Sequence, residues 1–553
     1  NVLGSTGADT ITLRGAAQVG DKFDGGAGFD TLILADRANE ILVSGTESII
    51  GGSKNDTFNL TSIDFSTIEG GDGIDTVNYS IVHEGLSIDL DAGTVNDLFG
   101  NLGDTLTSIE AASGTAYDDV VSGTADDNIL RGFAGNDVLV GRDGDDTLIS
   151  GSGRDVLKGG GGLDQLTGTD LTTFDNFTVA SYDYAAAGIV ANLAATATVT
   201  VGEGSTDVDT LTNIDGVKGS NFADTFTVSS NYEYSSRSYV EIEGLGGDDT
   251  ITGDGTTRIG YGNALGGVTV DLKSGEASGT ADGDIANVGD DTIVGGVQQV
   301  RGSDFDDVLY GSDAAAWEQF DGRAGDDTID GRGGVDAVGY WTSKSSVIVN
   351  LSDNTESYSG FFVASGQAID GFGGTDTLAN IEEVRGSTFA DVLIGNDGDN
   401  KLVGRKGDDI LVGGDGDDKL LGGEGDDTIY TGDNSGSGDY VNTGTGFDTI
   451  DFGTGHGWYT LDYSDLTDGI DVDLAFGFIE KGLDGFDTLY NVSSIDQDFG
   501  GLGIKGSSGD DRYFGLYDSN SWVQFSGGAG DDEIWGWTGF ERLDYQDALS
   551  GVT

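Results

Sequence analysis

The sequence predicts an all-β protein in which short strands and tight turns coil into a β-solenoid. Three observations lead to this prediction: a nine-residue glycine-aspartate repeat, a longer period of about eighty residues, and an extreme composition. The 553 residues contain 98 Gly, 98 acidic residues and no Pro, Cys or Met. Hydrophobic residues still make up 36% of the chain, which provides material for a thin core.

The nine-residue repeat has the form Gly-Gly-x-Gly-x-Asp-x-U-x, where U is a large aliphatic residue. Two tandem arrays contain it, with six units in residues 114–167 and five units in residues 386–430. Single copies begin at Gly4, Gly25, Gly70, Gly244, Gly322 and Gly527. A flexible acidic linker has no reason to keep an aliphatic residue at every ninth position, so the arrays are structural repeats.

Each unit is predicted to form a turn followed by a short strand. Glycine permits the positive-φ conformations of tight turns, and the x-U-x triplet is long enough only for a strand. Two units complete one coil, so equivalent residues of successive coils stack at roughly 4.8 Å. The U residues form the interior ladder, which consists of Leu130, Leu139, Leu148, Leu157 and Leu166 in the first array and Leu393, Leu402, Leu411, Leu420 and Ile429 in the second.

The stacked aspartates predict cation sites along the edges of the coils. Carboxylates at this spacing repel one another, and a hard cation that takes oxygens from aspartates and turn carbonyls removes the repulsion. Calcium fits best, because magnesium prefers a tighter octahedron and an all-oxygen ligand set disfavours zinc and copper. Asn128 and Asn400 replace the aspartate in the second unit of each array, which predicts weaker sites there. The predicted calcium ligands are Asp9, Asp30, Asp56, Asp75, Asp119, Asp137, Asp146, Asp155, Asp164, Asp249, Asp327, Asp336, Asp391, Asp409, Asp418, Asp427 and Asp532.

The charge of the chain excludes several classes of partner. A formal net charge of −73 disfavours nucleic acid and anionic lipid, both of which require clustered Lys and Arg. With two His and no Cys, imidazole and thiolate metal sites are nearly excluded. No apolar run approaches the roughly 18 residues of a membrane span, so no membrane insertion is expected.

The tandem arrays resemble the RTX (repeats-in-toxin) calcium-binding nonapeptides of secreted bacterial proteins, including large RTX adhesins and S-layer-like surface proteins. The resemblance implies a parallel β-roll, multiple bound calcium ions and type I secretion. It also implies that the protein is secreted and acts outside the cell or at the cell surface.

The longer period combines a Tyr-led alternating strand with an Asp-Thr-Leu/Ile segment that leads into a nonapeptide. It divides the chain into N-terminal coils (1–78), five super-repeats (79–181, 182–260, 261–339, 340–462 and 463–544) and the start of a sixth (545–553). The tandem arrays lie in the first and fourth super-repeats. We expect these segments to be further solenoid coils of a longer array. A string of β-sandwich domains is the alternative.

No catalytic motif is found, so the chain is not expected to be an enzyme. It lacks HExxH and GxSxG sequences. A β-helix that cleaves acidic polysaccharide would use paired carboxylates, but such pairs arise by chance among so many acidic residues. The predicted function is a calcium-binding structural or adhesive rod, surface layer or filament that contacts itself, a cell surface or a polysaccharide. The alternative is a non-catalytic RTX module of a secreted polysaccharide-modifying enzyme, similar to those of alginate epimerases.

Overall fold

The computed structural model describes residues 2–63, 65–169, 176–202, 206–230, 239–280, 285–354, 356–358, 361–433, 438–453, 457–492, 501–515, 522–535 and 540–544. The chain forms two compact units. The first contains Asn1–Tyr261 and Asn287–Val297, and the second contains Gly262–Ala286 and Gln298–Thr553. The predicted start of a sixth super-repeat, 545–553, lies outside the described residues.

Short strands follow one another along the whole described chain. Those up to residue 181 are Val2–Leu3, Thr10–Thr12, Lys22–Asp24, Thr31–Ile33, Asn39–Ser44, Ser48–Ile50, Asp56–Leu60, Thr67–Glu69, Thr76–Asn78, Leu86–Asp89, Thr94–Asp97, Leu102–Thr107, Ala111–Ser113, Val120–Ser122, Ile129–Ala134, Val138–Asp143, Thr147–Ser152, Arg154–Gly161, Gln165–Thr167 and Phe177–Ser181. Those between residues 182 and 339 are Ile189–Leu193, Ala197–Val201, Val208–Thr212, Gly216–Lys218, Thr225–Val228, Glu241–Glu243, Thr250–Gly260, Val268–Asp271, Glu276–Gly279, Asp290–Arg301, Val308–Tyr310, Trp317–Asp321, Thr328–Asp330 and Val335–Gly339.

The remaining described strands are also short, and one short 3-10 helix lies at Gly482–Asp484. They are Ile348–Asn350, Glu356–Tyr358, Phe361–Val363, Gln367–Ile369, Thr375–Ala379, Glu383–Arg385, Val392–Ile394, Lys401–Lys406, Ile410–Asp415, Lys419–Glu424, Thr428–Asp433, Asp439–Thr445, Thr449–Asp451, Trp458–Asp462, Asp471–Asp473, Phe478–Glu480, Phe486–Tyr490, Gly501–Lys505, Arg512–Phe514, Trp522–Ser526, Glu533–Trp535 and Phe540–Leu543. In the described part of the chain, no helix is long and apolar enough to cross a membrane.

The tandem arrays form parallel coils with the predicted spacing of eighteen residues. Leu130 pairs with Leu148, and Leu148 pairs in turn with Leu166, along one face of the first array. In the second array, Leu402 pairs with Leu420 in the same way. All of these leucines are fully buried. The prediction of an all-β parallel solenoid with an aliphatic interior ladder is therefore confirmed.

The Tyr-led segments continue the parallel stack and do not form separate sandwiches. The first strand of each segment pairs in parallel with a nonapeptide strand, and in each case it also pairs in antiparallel fashion with the strand that follows it. An antiparallel hairpin is thus inserted into a coil. The parallel pairs are Ile88 with Val121, Ala191 with Phe226, Val270 with Leu309, Val349 with Leu393, and Val472 with Tyr513. The exact super-repeat boundaries remain a prediction.

Candidate metal centres

The predicted calcium ligands of the first array lie in two ladders on the edges of the coils. Most of these aspartates directly precede a strand, and their amides donate to the Oδ1 atom of the equivalent residue in the next coil. Asp119 donates to Asp137, which donates to Asp155, both over 2.9 Å. On the other edge, the amide of Asp146 donates to Asp164 over 2.8 Å. Asn128 keeps its place in that ladder, because its amide donates to Asp146 over 2.7 Å.

The second array repeats this arrangement. The amide of Asp391 donates to Asp409 over 2.7 Å, and the amide of Asp409 donates to Asp427 over 2.8 Å. Asn400 donates to Asp418 over 2.8 Å on the other edge. One carboxylate oxygen in every coil therefore stabilises the turn of the preceding coil.

The second carboxylate oxygen of most predicted ligands is buried without a hydrogen-bond donor. A buried polar atom without a partner is costly, and a cation would satisfy it. The predicted ligands with such an Oδ2 atom are Asp30, Asp75, Asp137, Asp146, Asp155, Asp164, Asp249, Asp327, Asp336, Asp409, Asp418 and Asp427.

In most nonapeptides the first residue is a glycine that leaves space for this oxygen. A Cβ atom on Gly404 would overlap Asp409 Oδ2 and would lie 2.7 Å from the carbonyl oxygen of Gly422. The same is true of Gly132, whose Cβ would overlap Asp137 Oδ2. Carboxylate and carbonyl oxygens therefore face one small space, and these are the ligands that calcium prefers. Among the described residues, no three or more His, Cys, Asp or Glu side chains form a metal-binding group.

Comparison with known protein families agrees with this chemistry. The profile of the RTX calcium-binding nonapeptide repeat (4 copies) matches residues 113–148, 140–170, 317–338, 379–411, 404–437, 412–450 and 524–540. The chain carries RTX calcium-binding nonapeptide repeats. No curated protein matches the chain. The matched segments include both arrays and the copies that begin at Gly322 and Gly527, whereas the copies at Gly4, Gly25, Gly70 and Gly244 lie outside them.

RTX repeats bind multiple calcium ions, and the buried aspartates of this chain have the electrostatics that a bound cation would relieve. Burial raises the pKa of Asp137 to about 8, and the nearby charges of Asp155 and Asp119 raise it as well. Burial also raises the pKa values of Asp409 and Asp418 to about 8. A bound divalent cation would favour the ionised carboxylates and neutralise their repulsion.

Three predicted ligands, Asp56, Asp119 and Asp391, have protein donors on both carboxylate oxygens. The amide of Ser387 donates to Asp391 Oδ2 over 2.6 Å, and its hydroxyl donates to Asp391 Oδ1 over 2.8 Å. Thr115 contacts Asp119 in the same way. Sequence reasoning did not select the equivalent capped residues Asp224, Asp307 and Asp511, whose partners are Ser220, Ser303 and Ser507. A Ser or Thr in the second position of the repeat could have identified these aspartates, because its side chain and amide can both donate to the aspartate four residues later.

The isolated nonapeptides also join ladders, and for several of them the next member comes from outside the repeat. The amide of Asp75 donates to Glu110 Oε2 over 2.9 Å, and that of Asp336 donates to Glu382 Oε2 over 2.8 Å. The other isolated donor and acceptor pairs are Asp9 to Asp30, Asp30 to Glu47, Asp56 to Asp75, Asp249 to Asp291, Asp327 to Asp376, and Asp511 to Asp532. Asp56 Oδ2 also accepts the amide of Gly52 over 2.7 Å.

Buried tyrosines complete the ladder in each super-repeat. The leading Tyr donates its hydroxyl proton to the Asp of the Asp-Thr-Leu/Ile segment over 2.7 to 3.0 Å, so the two signatures of the long period are in contact. The hydroxyl group donates to a carboxylate oxygen whose counterpart in most nonapeptides has no hydrogen-bond donor. The pairs are Tyr79 with Asp104, Tyr182 with Asp209, Tyr261 with Asp291, Tyr340 with Asp376, and Tyr463 with Asp487.

Proposed function

We propose that this protein is an extracellular structural or adhesive protein whose coils become rigid when calcium binds. The observation that supports the proposal is the ladder of buried aspartates, in which most carboxylates hold the preceding coil with one oxygen and have a second oxygen without a protein donor. The same arrangement recurs along both arrays. Repetition of one binding geometry over many coils suits mechanical rigidity better than a single reaction centre.

A non-enzymatic role agrees with the use of the charged groups. Polysaccharide cleavage requires two carboxylates that are accessible to a sugar and flank its glycosidic bond. The ladder carboxylates are buried and already accept main-chain amides. Several basic side chains are also engaged in ion pairs, such as Arg332 with Asp271 and Lys158 with Asp183.

An extracellular location follows from the calcium requirement. The net charge of −73 opposes compaction until cations bind. Extracellular calcium modules are tuned to dissociation constants of about 10⁻⁴ to 10⁻³ M, far above the calcium levels at which cytosolic sensors work. We infer that the chain stays unfolded during export and folds outside the cell.

A calcium titration tests this proposal. Folding is followed by circular dichroism while free calcium is raised from roughly 10⁻⁷ to 10⁻² M. We expect a cooperative transition with a midpoint between about 10⁻⁴ and 10⁻³ M. A β spectrum that is unchanged in chelator, or a midpoint below about 10⁻⁶ M, would contradict folding after export.

Single-molecule stretching tests the mechanical role. We expect unfolding forces in millimolar calcium that fall sharply when chelator is added. Electron microscopy of the native material separates the two predicted contexts of the chain. A filament or lattice built from these coils supports the structural role, whereas an isolated particle with a catalytic domain supports the module of a polysaccharide-modifying enzyme.

An exposed aromatic stack offers a contact for the adhesive role. Trp535 lies on Phe514 with ring centroids 4.6 Å apart and planes 7° from parallel, and it is 44% exposed. Flat exposed aromatics are suited to contact with sugar rings. Trp535→Ala is expected to abolish binding to alginate or dextran in calcium while leaving the calcium midpoint unchanged. Unchanged binding would remove this surface from the proposal.

A further inference from the structure

Lys481 is fully buried, and oxygen atoms surround its ammonium group. Nζ lies 2.5 Å from Asp448 Oδ2 and 2.6 Å from Asp487 Oδ1. It also donates to the carbonyl oxygen of Gly444 over 2.9 Å and to Thr443 Oγ1 over 3.3 Å. A buried cation between two carboxylates and a main-chain carbonyl has the surroundings of a bound metal ion.

Asp370 occupies the same place in the preceding super-repeat. The tyrosine-bound aspartate Asp376 pairs with Ala368 across its hairpin, and Asp370 lies two residues after Ala368. In the next super-repeat, the tyrosine-bound Asp487 pairs with Ile479, and Lys481 lies two residues after Ile479. Asp370 and Lys481 are therefore equivalent in strand register. A carboxylate stands in one super-repeat where an ammonium group stands in the next.

Asp327 and Asp448 are equivalent in the same way. Asp327 directly precedes Thr328, which pairs in parallel with Thr377, the residue after Asp376. Asp448 directly precedes Thr449, which pairs in parallel with Thr488, the residue after Asp487. In the later super-repeat, Lys481 bridges the two aspartates. In the earlier one, the equivalent pair, Asp327 and Asp376, has Asp370 as its neighbour.

Asp370 is held rigidly and presents one oxygen without a donor. Its Oδ1 atom accepts the amides of Phe372, Gly373 and Gly374, each over 2.8 Å. Its Oδ2 atom has no hydrogen-bond donor, although the side chain is fully buried. Asp327 Oδ2 is also buried and without a donor. Two carboxylate oxygens in this coil therefore require a cation or protons.

A main-chain oxygen faces the same space. A Cβ atom on Gly374 would overlap the carbonyl oxygen of Gly325 and would lie 2.8 Å from Asp370 Oδ2. The charges also act on one another. Burial raises the pKa of Asp327 to about 9, and the negative charges of Asp376 and Asp370 contribute to the increase.

We propose that Asp327 and Asp370 bind one calcium ion with the carbonyl oxygen of Gly325, and that Lys481 replaces this ion in the next super-repeat. The Asp370 ligand lies between the segments that match the nonapeptide profile, in a hairpin that the repeat motif does not predict. Asp376 Oδ2 already accepts the hydroxyl of Tyr340 over 2.9 Å. The donor set is all oxygen, which suits a hard divalent cation. The proposal is independent of where the protein acts.

Native mass spectrometry of the full chain at buffered calcium concentration tests the proposal by counting ions. Asp370→Lys is expected to bind one calcium ion fewer than the unmodified chain, and Lys481→Asp one ion more. The double variant returns to the original number. Asp353→Lys makes the same charge change at an exposed position and serves as the matched control, with no change expected.

Asp370→Asn tests the site without introducing a lysine, and it is also expected to lose one ion. Hydrogen exchange then follows the strands Thr375–Ala379 and Phe486–Tyr490 as free calcium is lowered. The first is expected to lose protection at a higher calcium concentration than the second. An unchanged ion count in both Asp370 variants would overturn the proposal, and so would a Lys481→Asp chain that gains no ion. Occupation of the site by magnesium when calcium is absent and magnesium is supplied alone would also contradict the assignment to calcium.

Discussion

The hydroxyl group of Tyr182 donates a hydrogen bond to Asp209 Oδ2 over 2.8 Å, and both side chains are fully buried. Asp209 Oδ1 accepts the amide of Asp164, so the tyrosine and the last nonapeptide of the first array are held by one carboxylate. In most of the tandem coils, such as those of Asp137 and Asp409, the corresponding oxygen has no protein donor. In the super-repeat, a tyrosine hydroxyl group therefore supplies the hydrogen-bond donor to this carboxylate oxygen.

Tyr182→Phe removes that donor and leaves a buried carboxylate oxygen without one. We expect a loss of about 1 to 3 kcal/mol in the free energy of unfolding in saturating calcium. Urea denaturation measures the change. Tyr117→Phe removes an exposed hydroxyl group and is the control, with a change within about 0.5 kcal/mol expected. Equal losses in the two variants would contradict a special role for the buried pair.

Asp409→Ala with Asp418→Ala removes one ligand from each edge of the second array. The amides of Asp391 and Asn400 lose their acceptors, and the neighbouring coils lose a cation-binding oxygen. Hydrogen exchange in calcium is expected to rise across 386–430. Because coils interact mainly with their neighbours, 114–167 should keep its protection.

The exposed residues of the same array supply the control for that experiment. Asp397→Ala with Asp415→Ala removes the same formal charge, and protection is expected to remain. Equal loss of protection in both arrays of the Asp409 and Asp418 variant would be incompatible with stabilisation by nearest-neighbour coils.

The metal-free protein is expected to become more stable as the pH falls. The pKa of Asp427 lies at about 8 in the folded chain, against an ordinary value of 3.8, with burial as the main cause. The folded state therefore holds protons that the unfolded state releases between roughly pH 4 and pH 8, so stability falls as pH rises through this window. Calcium competes with these protons, so its affinity should rise from pH 5 to pH 8.

Circular dichroism of protein freed of metal on a chelating resin tests this, with a larger folded fraction expected at pH 5 than at pH 7 or pH 9. The triple variant Asp409→Asn, Asp418→Asn and Asp427→Asn imitates the protonated carboxyl groups. Its stability without metal should depend less on pH than that of the unmodified chain. A metal-free chain that is more stable at pH 9 than at pH 5 would refute the assignment of these buried groups.

The sequence predicted the periodic parts of the fold and missed the contacts that depend on the inserted hairpins. The spacing of the aliphatic residues was sufficient to place Leu130 on Leu148, because one fixed period determines both coil and register. The contact of Tyr182 with Asp209 joins two signatures across a hairpin of variable length. Asp370 and Lys481 each lie six residues before the tyrosine-bound aspartate, so sequence spacing also aligns them. Their equivalence was missed because the position lies outside the nonapeptide motif and carries a carboxylate in one super-repeat and an ammonium group in the other.

Gly404→Ala tests the space that the calcium ligands require. The new Cβ atom would overlap Asp409 Oδ2 and press on the carbonyl oxygen of Gly422, so both oxygens must move away from the cation position. We expect a calcium midpoint that rises about tenfold or more, which corresponds to roughly 1.4 kcal/mol. Gly7→Ala is the control, because no atom lies within 4 Å of its Cβ position and its backbone does not adopt a positive φ. A Gly404→Ala chain with an unchanged midpoint would mean that Asp409 and the carbonyl oxygen of Gly422 do not share a cation.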